Sequence, residues 1–370
     1  MGGNASFRPL IRNGLWEKAF YFELLKLEEL TMSENFLSQA FNNEEEKEVP
    51  ISFWHHFAPN EFVSAKEHPE VVDQNLNGLK KYVQDVNPDF IKLMTDGFFL
   101  YDFQDVENVQ DADSLQKIKP LSHDNWWFRG QAELVKKQRN VVGKKLAFYN
   151  IFSPVTILKW ALVDQTKEPV TLADKRFADL YEDHPQLVKK VLDVIAQDVI
   201  EQVNIVLKSG ADGVYYSTQT IQDDRLFNKE FFDSVHKPVD LKVIDGINKL
   251  SQKNILHICG FDGAKNDLAW FKDYPLQIIN WSCHTDGYSL GEGKKLFGGK
   301  PVLGGFGITK KDLLYSGSKQ EIQNEVHRLI DEAGTKGVIL GADCTIFRDT
   351  PIDHIKWAKQ AAHDYTNEVI

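Results

Sequence analysis

The chain has 370 residues, of which 42% are hydrophobic, and a formal net charge of −11 at a pI near 5.5, so it is globular, with apolar material for one large core or two modest ones. Its acidity, with no block of consecutive basic residues, excludes an electrostatic footprint for phosphate backbones, and no nucleic acid partner is expected. No run of about 18 apolar residues and no basic-then-apolar leader occurs, and Cys259, Cys283 and Cys344 do not form the pattern of a secreted disulfide framework; a cytoplasmic protein without a membrane span is expected.

Residues 1–48 read as a helical, acidic N-terminal extension that closes on "NNEEEKE", a solvated linker. The opening "MGGNAS" matches the myristoylation and N-glycosylation patterns, both short enough for chance to produce. Residues 49–370 form the second unit, where short β-branched and aromatic runs alternate with amphipathic segments. The runs are "ISFWHHF" (51–57), "FIKLM" (90–94), "KLAFYNIF" (145–152), "GVYYS" (213–217), "ILHICG" (255–260), "LQIINWS" (276–282), "VLGGFG" (302–307) and "GVILGADC" (337–344). Helices are predicted over 69–85, 183–208, 239–252, 318–334 and 353–366. Eight strand-like runs interleaved with helices predict a parallel sheet closed into a (β/α)8 TIM barrel; a doubly wound sheet survives only if two of the runs are not strands. The stretch 98–143 is too long for a simple crossover and is expected as an insertion over the barrel mouth, with "NWWF" either a lid or a satellite core.

Chemistry in such barrels gathers at the C-terminal ends of the strands. That rule nominates His55, His56, Asp96, Asn150, Ser217, His257, Cys259, Cys283, His284, Gly304, Gly305 and Cys344. Residues i and i+2 of a strand share a face, so His257 and Cys259 can both point into the mouth while Ile258 points at the helices. Imidazole and thiolate are zinc ligands, and Cys344, ending the last run across the mouth, supplies a third. Against this stands the reading of buried cysteines as small hydrophobes. At most one of His55 and His56 faces the mouth. Asp96 serves as a base or substrate contact, or caps a turn. Tyr216 and Ser217 are pocket candidates, with packing the alternative for the tyrosine. Gly304 and Gly305 lack phosphate-loop spacing and suggest a close approach of backbone to ligand.

The segments "HICG", "GVILGADC", "TIFRDTPIDHIKWAKQAA", "GADGVYYSTQ" and "LMTDGFF" together resemble the uroporphyrinogen decarboxylase superfamily, from about residue 50 to the C-terminus. The resemblance implies a TIM barrel and offers two chemistries. The decarboxylases carry an arginine motif after the first strand, where this chain reads "WHHFAPN"; Asp96 matches their aspartate for pyrrole nitrogens, but Trp160 stands about where they have a tyrosine and Ala342 where they have a histidine. The other branch resembles zinc-dependent methyltransferases that act with corrinoid proteins or thiol acceptors, and its His-x-Cys and distant Cys match His257, Cys259 and Cys344. Cobalamin-independent methionine synthase has a similar layout with a carboxylate as additional ligand; near "INWSCHTDG" none occurs before Asp286.

The resemblance thus implies a zinc-dependent methyltransferase moving a methyl group between a corrinoid, or another donor, and a thiol. Zn2+ would be held by His257, Cys259 and Cys344, with Asp96 catalytic and His55, His56, Asn150, Trp160, Tyr216 and Ser217 binding substrate. The expected partners are a small-molecule thiol or methylated substrate and a corrinoid protein. Uroporphyrinogen decarboxylation and a non-catalytic barrel binding a corrinoid or tetrapyrrole remain the alternatives.

Overall fold

The computed structural model describes residues 37–164, 167–169 and 171–365, so most of the expected N-terminal extension lies outside the described residues. Seven strands form one all-parallel sheet in sequential order: β1 (Ile91–Leu93), β2 (Ala147–Phe152), β3 (Gly213–Thr218), β4 (Asn254–Ile258), β5 (Ile278–Trp281), β6 (Val302–Phe306) and β7 (Val338–Ala342). Nearly every strand residue is buried, the pattern of a parallel sheet covered on one face and curled around a core on the other.

The first expected strand is the exception. Residues 50–54 lie along β7, with Ser52 N donating to Leu340 O at 3.1 Å and Leu340 N to Pro50 O at 2.8 Å, and form one parallel bridge, Ile51 with Leu340. On the β1 side the contacts use side chains: Ser52 Oγ donates to Phe90 O at 2.7 Å, and Asp89 Oδ2 accepts from Ile51 N at 2.9 Å. An eighth stave therefore fills the gap between β7 and β1 without a ladder. The architecture is the TIM-barrel-like one that the alternating runs predict.

Helices pack outside. They are α1 (Glu70–Val86), α2 (Trp126–Val142), α3 (Pro154–Ala161), α4 (Thr171–Asp183), α5 (Pro185–Lys208), α6 (Lys237–Leu250), α7 (Leu290–Leu296), α8 (Lys319–Ala333) and α9 (Ile352–Asp364). The chain sets their limits: a Ser318/Glu321 capping box starts α8, and Gly334, at φ +81°, ends it in a conformation that costs glycine little. The helix predicted over 183–208 begins at Pro185, whose fixed φ and missing N–H suit a first turn, and α4 ends just before it.

Two apolar layers result. One lies between sheet and helices. The other fills the barrel and includes Trp54, Phe90, Phe148, Tyr215, Ile255 and Leu303, closed at the strands' N-terminal ends by residues 37–41, where the Phe41 ring stacks 5.5 Å from that of Phe148. Within 98–143, α2 is the crossover helix covering β1 and β2, and Tyr101 and Leu121 both bond to Asp198 on α5. Phe99 reaches the mouth. Trp127 is buried, with Nε1 donating to Phe98 O at 3.3 Å, so this part of "NWWF" belongs to the core.

Candidate metal centre at the barrel mouth

Among the described residues, one group of three or more His, Cys, Asp and Glu side chains brings its ligand atoms within 4.8 Å of one another: His257, Cys259 and Cys344. His257 is the fourth residue of β4, Cys259 follows that strand and continues its pairing through N–H to Thr218 O at 2.8 Å, and Cys344 follows β7. Period-two alternation places both β4 side chains on the inner face while Ile258 packs among the helices.

The Sγ atoms of Cys259 and Cys344 are 3.9 Å apart, and two thiolates about 2.3 Å from one tetrahedral ion stand roughly 3.8 Å apart. The hydrogen bond from Cys259 pulls the Cys344 thiol well below its usual range against the cost of burial, with His257 and Lys92 assisting; the same bond, with burial, pushes Cys259 up. Where an ion takes that place, both sulfurs bind as thiolates.

Asn280 of β5 orients the histidine. Its Nδ2 donates to Leu303 O at 2.8 Å and Ala342 O at 3.2 Å, which turns Oδ1 toward β4, where it accepts from Tyr215 Oη and from His257 Nδ1, each at 2.5 Å. With Nδ1 carrying the hydrogen, the Nε2 lone pair is left free, and Nε2 is buried without a partner. An unpartnered imidazole nitrogen beside two sulfurs, its ring anchored through the other nitrogen, is a donor set that could hold a metal ion. Gly304 makes room for that anchor: at φ +146° it has no Cβ, and one built there would stand 3.3 Å from Asn280 Nδ2. The close approach expected at this glycine is to a side chain.

A small cavity of about 50 Å3 opens above the cluster. Of the residues expected to bind substrate, His56, Asn150, Trp160 and Ser217 line it. His56 Nδ1 donates to Asp96 Oδ1 at 2.7 Å. Asp96 itself is fully buried behind that ring and lines no part of the cavity; its Oδ2 accepts from Phe57 N, Ala58 N and Asn75 Nδ2 at 2.9–3.1 Å. Burial pushes the Asp96 carboxyl up, but those bonds and the His56 ring outweigh it and hold the group below its usual range. Asp96, expected as a catalytic residue, therefore meets the cavity only through the His56 ring.

His55 turns away, packed between the Phe57 and Tyr82 rings with Nδ1 donating to His56 O at 2.9 Å. Tyr216 also departs from the expectation. It lies outside the cavity, donating to Asp240 Oδ1 at 2.7 Å on the helix side, because Ser217 occupies the inner face and neighbours on a strand alternate. The inward tyrosine is Tyr215. Cys283 and His284 stand apart from the cluster: His284 Nδ1 donates to Asp343 Oδ2 at 2.8 Å, and burial pushes the Cys283 thiol well up. Asp286, the candidate carboxylate ligand, accepts instead from Asn266 N at 2.7 Å, and burial raises its carboxyl to about 7.

Three residues at or behind the mouth carry weight that the motif reading missed. Asn280 gives no local signal, since its partners come from β3, β4, β6 and β7. Glu61 sits on the rim, paired with Arg348 at 2.6 Å and 3.9 Å from His56 Nε2. Lys92 is a charged residue inside the apolar run "FIKLM", and that incongruity is legible in the sequence. Phe62, Phe99, Phe152 and Trp160 form the apolar wall, with successive ring centroids 4.7–5.4 Å apart.

The profile of the uroporphyrinogen decarboxylase (URO-D) family matches residues 105–365. Among solved structures the fold is similar to that of a methyltransferase from Methanosarcina mazei, at 17% identity and a TM-score of 0.61 over 89% of this chain and 98% of that one. It is also similar to a B12-independent methionine synthase from a Shewanella species, solved with selenomethionine, at 15% identity and a TM-score of 0.52 over 85% and 96% of the two chains. At these identities the likeness is one of fold. No curated protein sequence matches the chain significantly.

Proposed function

The chain belongs to the uroporphyrinogen decarboxylase family, and from that membership and the mouth cluster we propose that it is a zinc-dependent methyltransferase. It would move a methyl group from a methylated corrinoid, or a donor of like reactivity, to a small thiol. The observation that carries the reading is His257 Nε2: buried, unpartnered and fixed as an acceptor by Asn280, beside two cysteines at ligand spacing. A buried polar atom without a partner is costly, and an ion at that place would relieve it. His257, Cys259 and Cys344 would hold the zinc, which when bound keeps a substrate thiol deprotonated near neutral pH.

The protein's own groups do the rest. His56, anchored through Nδ1 on Asp96, presents Nε2 to the cavity and takes the proton that the entering thiol loses. Asn150 and Ser217, bonded to each other at 3.1 Å, offer a polar edge opposite the aromatic wall. The wall keeps water from competing with the sulfur. The sulfur lone pair forms the new S–C bond, and the bond between methyl and donor breaks with its electron pair left on the donor.

The family's decarboxylase chemistry has less support here. A polyacidic tetrapyrrole needs cationic forks, and no arginine lines the cavity among the described residues. Asp96, which favoured that reading, is enclosed by four donors. The test is incubation of the zinc-loaded protein with methylcobalamin and 2-mercaptoethanol, followed by mass spectrometry. S-methylated product that disappears in the Cys259→Ser variant is expected; zinc-replete protein that forms none contradicts the proposal.

A further inference from the structure

Lys92 is a buried charged group of the mouth that this chemistry leaves unused, whereas Glu61 on the rim is paired with Arg348. It projects inward from β1 between Phe90 and Met94, lines the same cavity as the cluster and is 5% exposed. Its contacts are ring faces: Nζ stands 3.9 Å from the Tyr215 ring centroid and 5.4 Å from that of Trp54, and among the described residues it makes no hydrogen bond or ion pair. Ring faces offset only part of the cost of burying an ammonium, and proteins ordinarily pair such a charge. Burial draws Lys92 down to about 8, opposed by its attraction to the sulfurs of Cys344 and, less, Cys259.

Charge balance then points to the ligand. Two thiolates cancel the formal charge of a divalent zinc, so once the ion is in place the cysteines no longer serve as counter-charge to Lys92. One further anion at the cluster restores neutrality. A neutral ligand does not.

We propose that Lys92 is the specificity residue of the site, selecting the methyl acceptor as a thiolate anion and favouring release of the S-methyl product. The inference rests on the methyltransferase reading and adds to it the residue that tells substrate from product by charge. Before transfer the acceptor is an anion whose proton has gone to His56 and on to solvent. Afterwards the sulfur has one more bond and no charge, the donor has kept the bonding pair, and the attraction to Lys92 is lost. The interaction is strong for substrate and weak for product, as turnover toward the thioether requires.

The test is calorimetric binding of 2-mercaptoethanol and of its S-methyl ether to the zinc-loaded wild type, Lys92→Met and Lys92→Arg. We expect the wild type to bind the thiol at least about tenfold more tightly than the ether, with Lys92→Met raising the thiol Kd by about tenfold or more and leaving that of the ether within about twofold. Lys92→Arg should recover part of the thiol affinity. A thiol Kd unchanged in Lys92→Met, or equal losses for both ligands, overturns the assignment. So does a wild type that binds thiol and ether equally, a result that needs no variant to fold. Failure of the wild type to take up zinc would overturn the reading of the site itself, which separates the two outcomes.

Discussion

Replacing Asn280 with leucine tests whether the histidine is held for a metal. The side chains are of similar size, but leucine removes an acceptor from His257 Nδ1 and Tyr215 Oη and a donor from Leu303 O and Ala342 O. Two buried donors and two carbonyls lose a partner, and the donors alone cost roughly 1–3 kcal/mol each, or about 2–6 kcal/mol of folding stability. Against a typical total of about 5–15 kcal/mol the fold survives. With the ring no longer fixed, zinc affinity should fall about 10–100-fold, the usual effect of losing such an anchor and equivalent to about 1.4–2.7 kcal/mol. Competition with a chromophoric chelator measures the first effect and urea unfolding of the metal-free protein the second. Asn280→Asp separates them, since a carboxylate still accepts from His257 but faces two carbonyls it cannot donate to. It should lose stability with a smaller loss of zinc affinity. Wild-type zinc affinity in Asn280→Leu would refute the argument that Asn280 orients the ligand.

His56→Gln should keep its zinc and lower the methyl-transfer rate by about 10²–10⁴-fold, the usual contribution of a positioned proton acceptor; an unchanged rate by product mass spectrometry would remove His56 from the reaction. Glu46 predicts a pH effect away from the site. Its carboxyl is buried, and burial raises it from 4.5 to about 9, with the backbone N–H groups of Val338 and Gly337 and the charge of Lys294 opposing. A raised carboxyl means the fold prefers the neutral form, so this stability is fully present below about pH 4.5 and is lost as pH rises toward 9. Glu46→Gln should therefore raise Tm more at pH 8 than at pH 5, and an equal shift at both would contradict the assignment.

The sequence carried the barrel because runs and amphipathic segments alternate wherever helices cover a parallel sheet. It carried the three-residue cluster because His-x-Cys obeys strand alternation and Cys344 ends the last run. The same alternation should have separated Tyr216 from Ser217, which cannot share a face. The first run resembled a strand in composition, but its fate depended on Asp89 and Ser52 meeting the backbone in place of a ladder, which composition does not encode. Asn280 was illegible for a related reason: its four partners lie 23 to 65 residues away, so only the folded chain shows what it orients. Asp96 showed as a mouth residue, but the donors that enclose it come from residues 56–58 and from Asn75 on α1.

The central claim is that three side chains form one metal site, and metal analysis of the purified protein tests it most directly. The wild type and Cys283→Ser, whose cysteine lies outside the cluster, should each contain about one zinc per chain, while Cys344→Ser and Cys259→Ser should fall toward zero after dialysis against a mild chelator. Zinc absent from the wild type, or retained in full without Cys344, would contradict the account.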